Sequence, residues 1–550
     1  MIHRREVDKC VRSSRSPAAI SQEASADLDA RPSDQAMTRL ALWAWPAALA
    51  AFVAAAAVAL RGLTFGDAAP GRLLIEVSLC LLLAHAATRG CGPRARATLT
   101  IFLAALAARL VAVLVLDEWT VRAGGAFVVS PDAAGYDFWA RRLFESWSTG
   151  EWPDIRRYDM AGRWDVGFDH GLAAAYGIFG ESALLGRTLT GLFGALAAVF
   201  FWLVSLELVP TRVAVWAGAA YALWPSSAAW SAWSVLRDSL VWALLYAGIW
   251  CALRIARNHG GYAFALAFAG AFLALRLVRP YAAILLAAGL GLAFALGLVS
   301  RWRGIGRAAL LLASAMFGAE AVLAVIGAPS VVRAAISVVR KDAVLHRWSD
   351  FEAPPEVAAT LRIEPESDLR PGAGAGAGEP SWRKRRGRFL EVSLAGNAAR
   401  FVFGPLAWMP TGPGDARSQD WLLASMWFWY AGLPLAAVGF VLGLARHPAF
   451  RPIAVVALAL GVALTVSGEG TFYRQREMLV PVVLLAGAIG LEAALRRPRL
   501  LAATLVLWAL LLGAGIALHI HLSHARSLGA NSRTPRSSDA AAPHSAGTPP

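Results

Sequence analysis

The sequence predicts an all-α polytopic membrane protein, and three observations carry that prediction. Hydrophobic residues make up 57% of the 550 residues and charged residues only 16%, where a soluble domain carries about a quarter charged. Mean hydropathy is +0.52. Apolar runs of about 20 residues recur along most of the chain, the length that takes a helix across a bilayer with its backbone polar groups satisfied internally. The short alternating segments of a spanning β-barrel are not visible. Together these set aside a cytosolic enzyme.

The elements follow in order. Residues 1–39 mix both charge signs with Ser, Ala and Pro and lack an apolar core, so they read as a disordered cytoplasmic segment and not as a signal peptide. Met37-Thr38-Arg39 leads straight into the first apolar run and would itself make a start, so residues 1–36 are expected to be dispensable. About thirteen apolar runs come next. Leu40–Leu60 and Leu73–Ala87 fill residues 40–97. Residues 98–325 hold Leu99–Leu116, Leu189–Leu206, Val213–Trp230, Leu240–Ile255, Tyr262–Leu277, Ala282–Val299 and Ala308–Val325. Residues 421–520 hold Trp421–Leu444, Ile453–Val466, Leu479–Leu495 and Leu500–Ile520. Several runs are shorter than a full span and call for tilt, kinking or partial insertion, which leaves about 11–13 transmembrane helices. Residues 521–550 are rich in Ser, Ala and Pro and read as a disordered tail, and Pro371–Gly378 is a low-complexity tether. No internal repeat stands out, which speaks against inverted-repeat transporters.

Charge placement gives the orientation. The formal net charge is +15, almost all of it from arginine, since lysine occurs only as Lys9, Lys341 and Lys384. A nucleic-acid partner would explain such a balance, but most of the arginines sit in short turns between apolar runs. With the amino terminus in the cytoplasm, the inner turns carry Arg89, Arg94 and Arg96; Arg212; Arg254 and Arg257; Arg301, Arg303 and Arg307; Arg446 and Arg451; and Arg496, Arg497 and Arg499. That is the positive-inside pattern of a plasma (inner) membrane protein, with membrane lipids as partners and no nucleic acid. Two large segments then face outward, 117–186 and 326–420, with an Arg-rich outer loop at 467–477. Cys10, Cys80, Cys91 and Cys251 show neither metal-ligand spacing nor a disulfide framework.

Several kinds of chemistry lack their motifs. The sequence has no G-x-x-x-x-G-K-[ST], no H-E-x-x-H and no G-x-S-x-G, so P-loop, zincin and serine-hydrolase machinery are not expected. What remains is a set of charges on the outer side. Ser130-Pro131 makes a strong helix start, and Tyr136, Trp139, Ala140, Leu143 and Trp147 share one face of the helix that follows. Such a helix lies in the membrane interface. Asp132 occupies its first turn, where it either complements the helix dipole or serves as a general base for a hydroxyl at the lipid boundary. Asp117 and Glu118 form an acidic pair that caps the third span or joins the site, and Asp165, Asp169 and His170 are candidates to bind acceptor or sugar. Short outer loops should be poor in Arg, yet Arg237, Arg276, Arg279, Arg474 and Arg476 fall there. Arg276 and Arg279 are three apart and would share a helix face. Guanidinium forks at a bilayer surface either grip phosphate or reach for headgroups. Arg109, Glu76 and Glu320 fall within spans, where a central charge costs about 2.5–3.5 kcal/mol, so partners or a nearby interface are expected for them.

The order of these pieces resembles the GT-C membrane glycosyltransferases, which include protein O-mannosyltransferases, lipid A aminoarabinose transferases and family 39-like bacterial enzymes. Asp132, Tyr136 and Ala140 are similar to the family's first outer loop, with its essential aspartate and interfacial helix. Tyr176-Gly177-Ile178-Phe179-Gly180 with Arg187, Leu236-Arg237-Asp238-Ser239, and Arg276-Leu277-Val278-Arg279-Pro280-Tyr281 continue the likeness. Gly470-Thr471-Phe472-Tyr473-Arg474-Gln475-Arg476, followed by Pro481, is similar to a late Arg-rich outer loop of bacterial members. Ala133 stands where many members have a second acid. The resemblance spans roughly residues 98–495 and implies a GT-C-like bundle with an active cavity on the outer face. It implies transfer of a sugar from a polyprenyl-phosphate donor to a hydroxyl acceptor on a lipid, glycan or protein. Asp132 would be the base of an inverting reaction, and the arginines would hold the lipid phosphate. No cofactor is expected for a monophosphate donor; a pyrophosphate donor would bring in a divalent metal. The alternatives are a polysaccharide polymerase or ligase using undecaprenyl-pyrophosphate glycans, and a transporter or lipid flippase.

Overall fold

The computed structural model describes residues 37–64, 66–88, 93–122, 131–150, 167–232, 235, 237–257, 261–299, 305–325, 416–451, 453–458, 477–497, 499, 502–510 and 513–514. Every regular element among them is helical. In chain order they are α1 (Ala44–Thr64), α2 (Ala69–Thr88), α3 (Pro93–Arg122), α4 (Pro131–Ser148), α5 (Gly167–Phe179), α6 (Ala183–Leu208) and α7 (Thr211–Ala222). Then come α8 (Pro225–Ala232), α9 (Asp238–Ala256), α10 (Gly261–Val278), α11 (Pro280–Val299), α12 (Ile305–Val325), α13 (Ala416–Arg446) and α14 (Val480–Arg496). Among the described residues, seven helices are long and apolar enough to cross a membrane: α1, α3, α6, α9, α10, α12 and α13. The chain is an all-α protein of membrane-spanning character.

Local chemistry sets the ends of these helices. Ser182 caps α6, its Oγ accepting from the Leu185 N–H at 3.0 Å, and the helix stops before Pro210. Proline has no N–H and crowds the preceding turn, and this corrects one expectation. The single span expected over Val213–Trp230 is two helices, α7 and α8, separated at Trp224 with Pro225 opening the second. The same rule parts α10 from α11 at Arg279-Pro280. α5 is an element the hydropathy reading passed over, because at 13 residues it is too short to register as a span.

α3 and α6 form the centre. α3 packs on α1, α6, α7 and α8, while α6 also packs on α9. Val58, Leu110, Trp202, Tyr221 and Trp242 are buried between them. α9 carries α10, and α10 carries α12 and α11. α13 and α14 make a tight pair that joins the rest through α7 and α8. Gly439 and Gly490 sit where a Cβ would strike the partner helix's backbone, so these two helices meet backbone to backbone, as small residues permit in membranes. The first two helices, which precede the region of resemblance, are bound into the bundle. Arg61 at the end of α1 pairs with Asp117 at 3.0 Å and Glu118 at 2.8 Å on α3. The α4–α5 pair lies across the end of the bundle where α3 finishes and α6 begins, and α5 rests on α10 and α2. Gly167 allows that contact: a Cβ there would lie 2.8 Å from the Leu277 side chain.

Candidate functional site at the α4 end of the bundle

α4 runs from Pro131, as the Ser-Pro start predicts, and places Asp132 as its second residue, in the first turn. The Asp132 side chain, Asp165, Arg474 and Arg476 lie outside the described residues. The face of α4 that follows is fixed by α5. Tyr136 meets Phe168 edge to face at 5.4 Å, and Trp147 meets the His170 ring at 5.8 Å. His170 is thus partnered by an aromatic, and Asp169 is half-buried beside it on the same helix.

The next stripe of α4 holds a polar clamp that sequence reading missed. Asp137 accepts from the Tyr176 hydroxyl and from Arg141 Nε at 3.0 Å, and Arg141 reaches on to Glu181 at 3.2 Å. The Arg141 guanidinium also lies over the Tyr176 ring at 5.6 Å. Burial, then the adjacent Asp137 carboxylate, raises the pKa of Tyr176, so the phenol remains a hydrogen-bond donor throughout the working range. The i, i+4 spacing of Asp137 and Arg141 was the available signal; their link to α5 was not readable locally.

Two of the expected arginines gather at this helix. Arg237, immediately before α9, places its guanidinium 5.1 Å from the Tyr136 ring centre and donates to the Val278 carbonyl at 3.4 Å. Arg279, at the α10–α11 break, lies 4.7 Å over the Tyr281 ring. Burial works against the charge of Arg279, but Tyr281, Asp238 and Tyr136 outweigh it, and the net shift of its pKa is upward. It is a permanent cation. Its Nε and Nη1 are buried and have no hydrogen-bond partner among the described residues. Asp238 and Tyr281 belong to stretches singled out in the sequence, though neither had been given a role.

The remaining candidates are placed elsewhere. Arg276 and Arg279 meet different partners. Arg276 is 2% exposed and pairs through Nε with Glu320 on α12 at 2.7 Å, while Arg279 is the residue that follows the end of α10 at Val278. Asp117 and Glu118 are held in ion pairs: Arg187, itself 7% exposed, reaches Asp117 at 3.4 Å opposite Arg61. Arg109 is buried within α3, donating to the Ala105 and Ala222 carbonyls at 3.1 and 2.9 Å. Glu477, the residue after Arg476, is buried and accepts from Ser226 and Ser227 at the start of α8. No group of three or more His, Cys, Asp or Glu suited to a metal ion occurs among the described residues.

An open apolar groove runs between α9, α11, the start of α14 and the stretch holding Ala449, Ile453 and Val456, lined by residues such as Leu245, Ile249, Leu286, Phe294 and Val482. Its α11 wall starts at Ala282, three residues beyond Arg279. The corner therefore holds two guanidinium groups against the faces of Tyr136 and Tyr281, where their N–H groups can take an anion, and the apolar groove begins one helical turn further along α11. Compared with known proteins, the chain matches no family model, and no curated protein matches it.

Proposed function

We propose that this chain is a membrane glycosyltransferase of the GT-C type. It moves a sugar from a polyprenyl-phosphate donor to a hydroxyl acceptor on the outer face of the plasma membrane. One observation carries the reading: Tyr136 of the interface helix, Arg237 and Arg279, which belong to three separate stretches of the resemblance, meet at one corner. In the proposed reaction the acceptor hydroxyl attacks the anomeric carbon with inversion while Asp132 takes its proton. The bond from that carbon to the phosphate oxygen breaks, and the electron pair leaves on the lipid phosphate. Arg279 and Arg237 face the charge that develops there, which is where fixed cations lower a barrier most. The groove beginning at Ala282 suits the apolar chain of such a donor.

The test is transfer from a purified polyprenyl-phosphate sugar in membranes containing the protein. Wild type transfers sugar, and Asp132→Asn, which keeps size and capping ability, inserts normally and does not. Near wild-type turnover by Asp132→Asn would remove the base from the mechanism, and absence of transfer by wild type with every lipid-linked donor tried would remove the function.

A further inference from the structure

At the opposite end of the bundle, α3 begins and α6 and α9 finish around a single carboxylate. Glu207 is 4% exposed and pairs with Arg257 at 2.9 Å, Arg254 at 3.2 Å and Arg94 at 3.5 Å. Arg257 also donates to the Glu207 carbonyl. Three guanidinium charges on one carboxylate leave a local charge of +2 (3 − 1). No second carboxylate among the described residues pairs with any of the three. The helix C-termini of α6 and α9 favour cations here, and the α6 end supplies the Glu207 carbonyl to Arg257. Arg94 and Arg257 keep 48% and 45% of their side-chain surface exposed, so both can reach an outside partner while Glu207 holds them in place.

Beneath the arginines lies an aromatic shelf. Arg254 stacks over Phe264 at 5.4 Å, Phe264 meets Trp250 at 5.2 Å, and Trp250 meets Phe200 at 6.2 Å. All three rings are half-buried. The site thus offers preorganised cations at one level and an apolar, ring-lined surface directly below it, at the end of membrane-spanning helices. A soluble anion would use only the upper half. A lipid with a charged head and an acyl chain fits both.

We propose that Arg94, Arg254 and Arg257, gathered by Glu207, bind the phosphodiester headgroup of an anionic phospholipid, with its acyl region along Phe264, Trp250 and Phe200. This site is separate from the α4 corner and does not depend on the reaction proposed there. The experiment uses full-length protein in nanodiscs of phosphatidylcholine, with or without phosphatidylglycerol, reading thermal unfolding and retained lipid by native mass spectrometry. Phosphatidylglycerol should raise the unfolding temperature of wild type and remain bound. Arg254→Gln/Arg257→Gln should weaken that retention roughly tenfold or more. A control removing two exposed arginines elsewhere, Arg212→Gln/Arg446→Gln, should not.

A second variant separates binding from structure. Glu207→Gln removes the one carboxylate that pairs with these arginines among the described residues, so it should strengthen phosphatidylglycerol retention while lowering basal stability. An ion cluster that served packing alone would lose stability in both variants and change lipid retention in neither. That result would overturn the proposal, as would equal loss in the control. Equal stabilisation by glycerol phosphate in solution would also overturn it, since it would show an anion site and not a lipid site.

Discussion

Arg279 stands where α10 gives way to Pro280, and its chemistry follows from that place. Its guanidinium lies over the Tyr281 ring, and its buried Nε and Nη1 have no hydrogen-bond partner among the described residues. A charged hydrogen bond contributes about 1.5–3 kcal/mol. Arg279→Ala is therefore expected to lower transfer efficiency by about one to two powers of ten. Arg279→Lys should recover part of that loss, since an ammonium keeps charge but not the fork. Flat activity across this series would refute the phosphate role. Tyr176 supports a different prediction. Its pKa is raised in the fold, so the stability it contributes is whole below the ordinary tyrosine pKa of about 10. That contribution declines only as pH rises beyond this value. Thermal unfolding should show a constant gap between wild type and Tyr176→Phe from about pH 7 to 9, narrowing above about pH 10. Individual charges were legible in the sequence as exceptions to loop composition. Their partners were not: Arg276 and Arg279 look alike at spacing three, yet one pairs with Glu320 and the other lies over Tyr281.

Among the elements, α4 was the most legible at its start, which Ser130-Pro131 specifies, but the face expected to lie in the membrane interface packs on α5, with Ala140 and Leu143 buried. α7 and α8 were the least legible. Hydropathy averages over Trp224-Pro225 and reports one span, while backbone hydrogen bonding cannot continue through the proline. The division has a structural use: it exposes the first turn of α8, where Ser226 and Ser227 hydroxyls hold the buried Glu477 carboxylate. Ser226→Ala/Ser227→Ala leaves that carboxylate without its hydroxyl donors and should destabilise by about 1–3 kcal/mol per lost bond. The midpoint of thermal unfolding in detergent measures it. An unchanged midpoint would mean that Glu477 is satisfied by other groups.

At the scale of the whole molecule, composition alone announced a membrane bundle, and the seven long apolar helices agree with it. Which helices touch was beyond sequence reading, since apolar faces in a bilayer carry little pattern to distinguish a lipid contact from a helix contact. The first two helices illustrate this. They precede the region of resemblance, yet Arg61 ties them to Asp117 and Glu118, and Arg187 closes the same cluster from α6. Arg61→Gln should therefore lower the unfolding temperature of the entire bundle in one transition. A double-mutant cycle of Arg61 with Asp117 should return a coupling of about 0.5–3 kcal/mol. Two separate transitions, or no coupling, would show α1 and α2 to be an independent unit.

The bond from Glu477 back to Ser226 and Ser227 also bears on how the protein is made. A ribosome that has delivered every helix through α12 has inserted α3, α7 and α8, but not the carboxylate that the hydroxyls of α8 hold. Until the segment after α13 arrives, Arg109 within α3 and the Ser226 and Ser227 hydroxyls at the start of α8 are in place without the Glu477 carboxylate. Translation order thus leaves a window in which the Ser226 and Ser227 hydroxyls lack their acceptor. A chain cut short before α13 should be recognised by membrane quality-control proteases and degraded, while the full-length protein, completed by Glu477, persists.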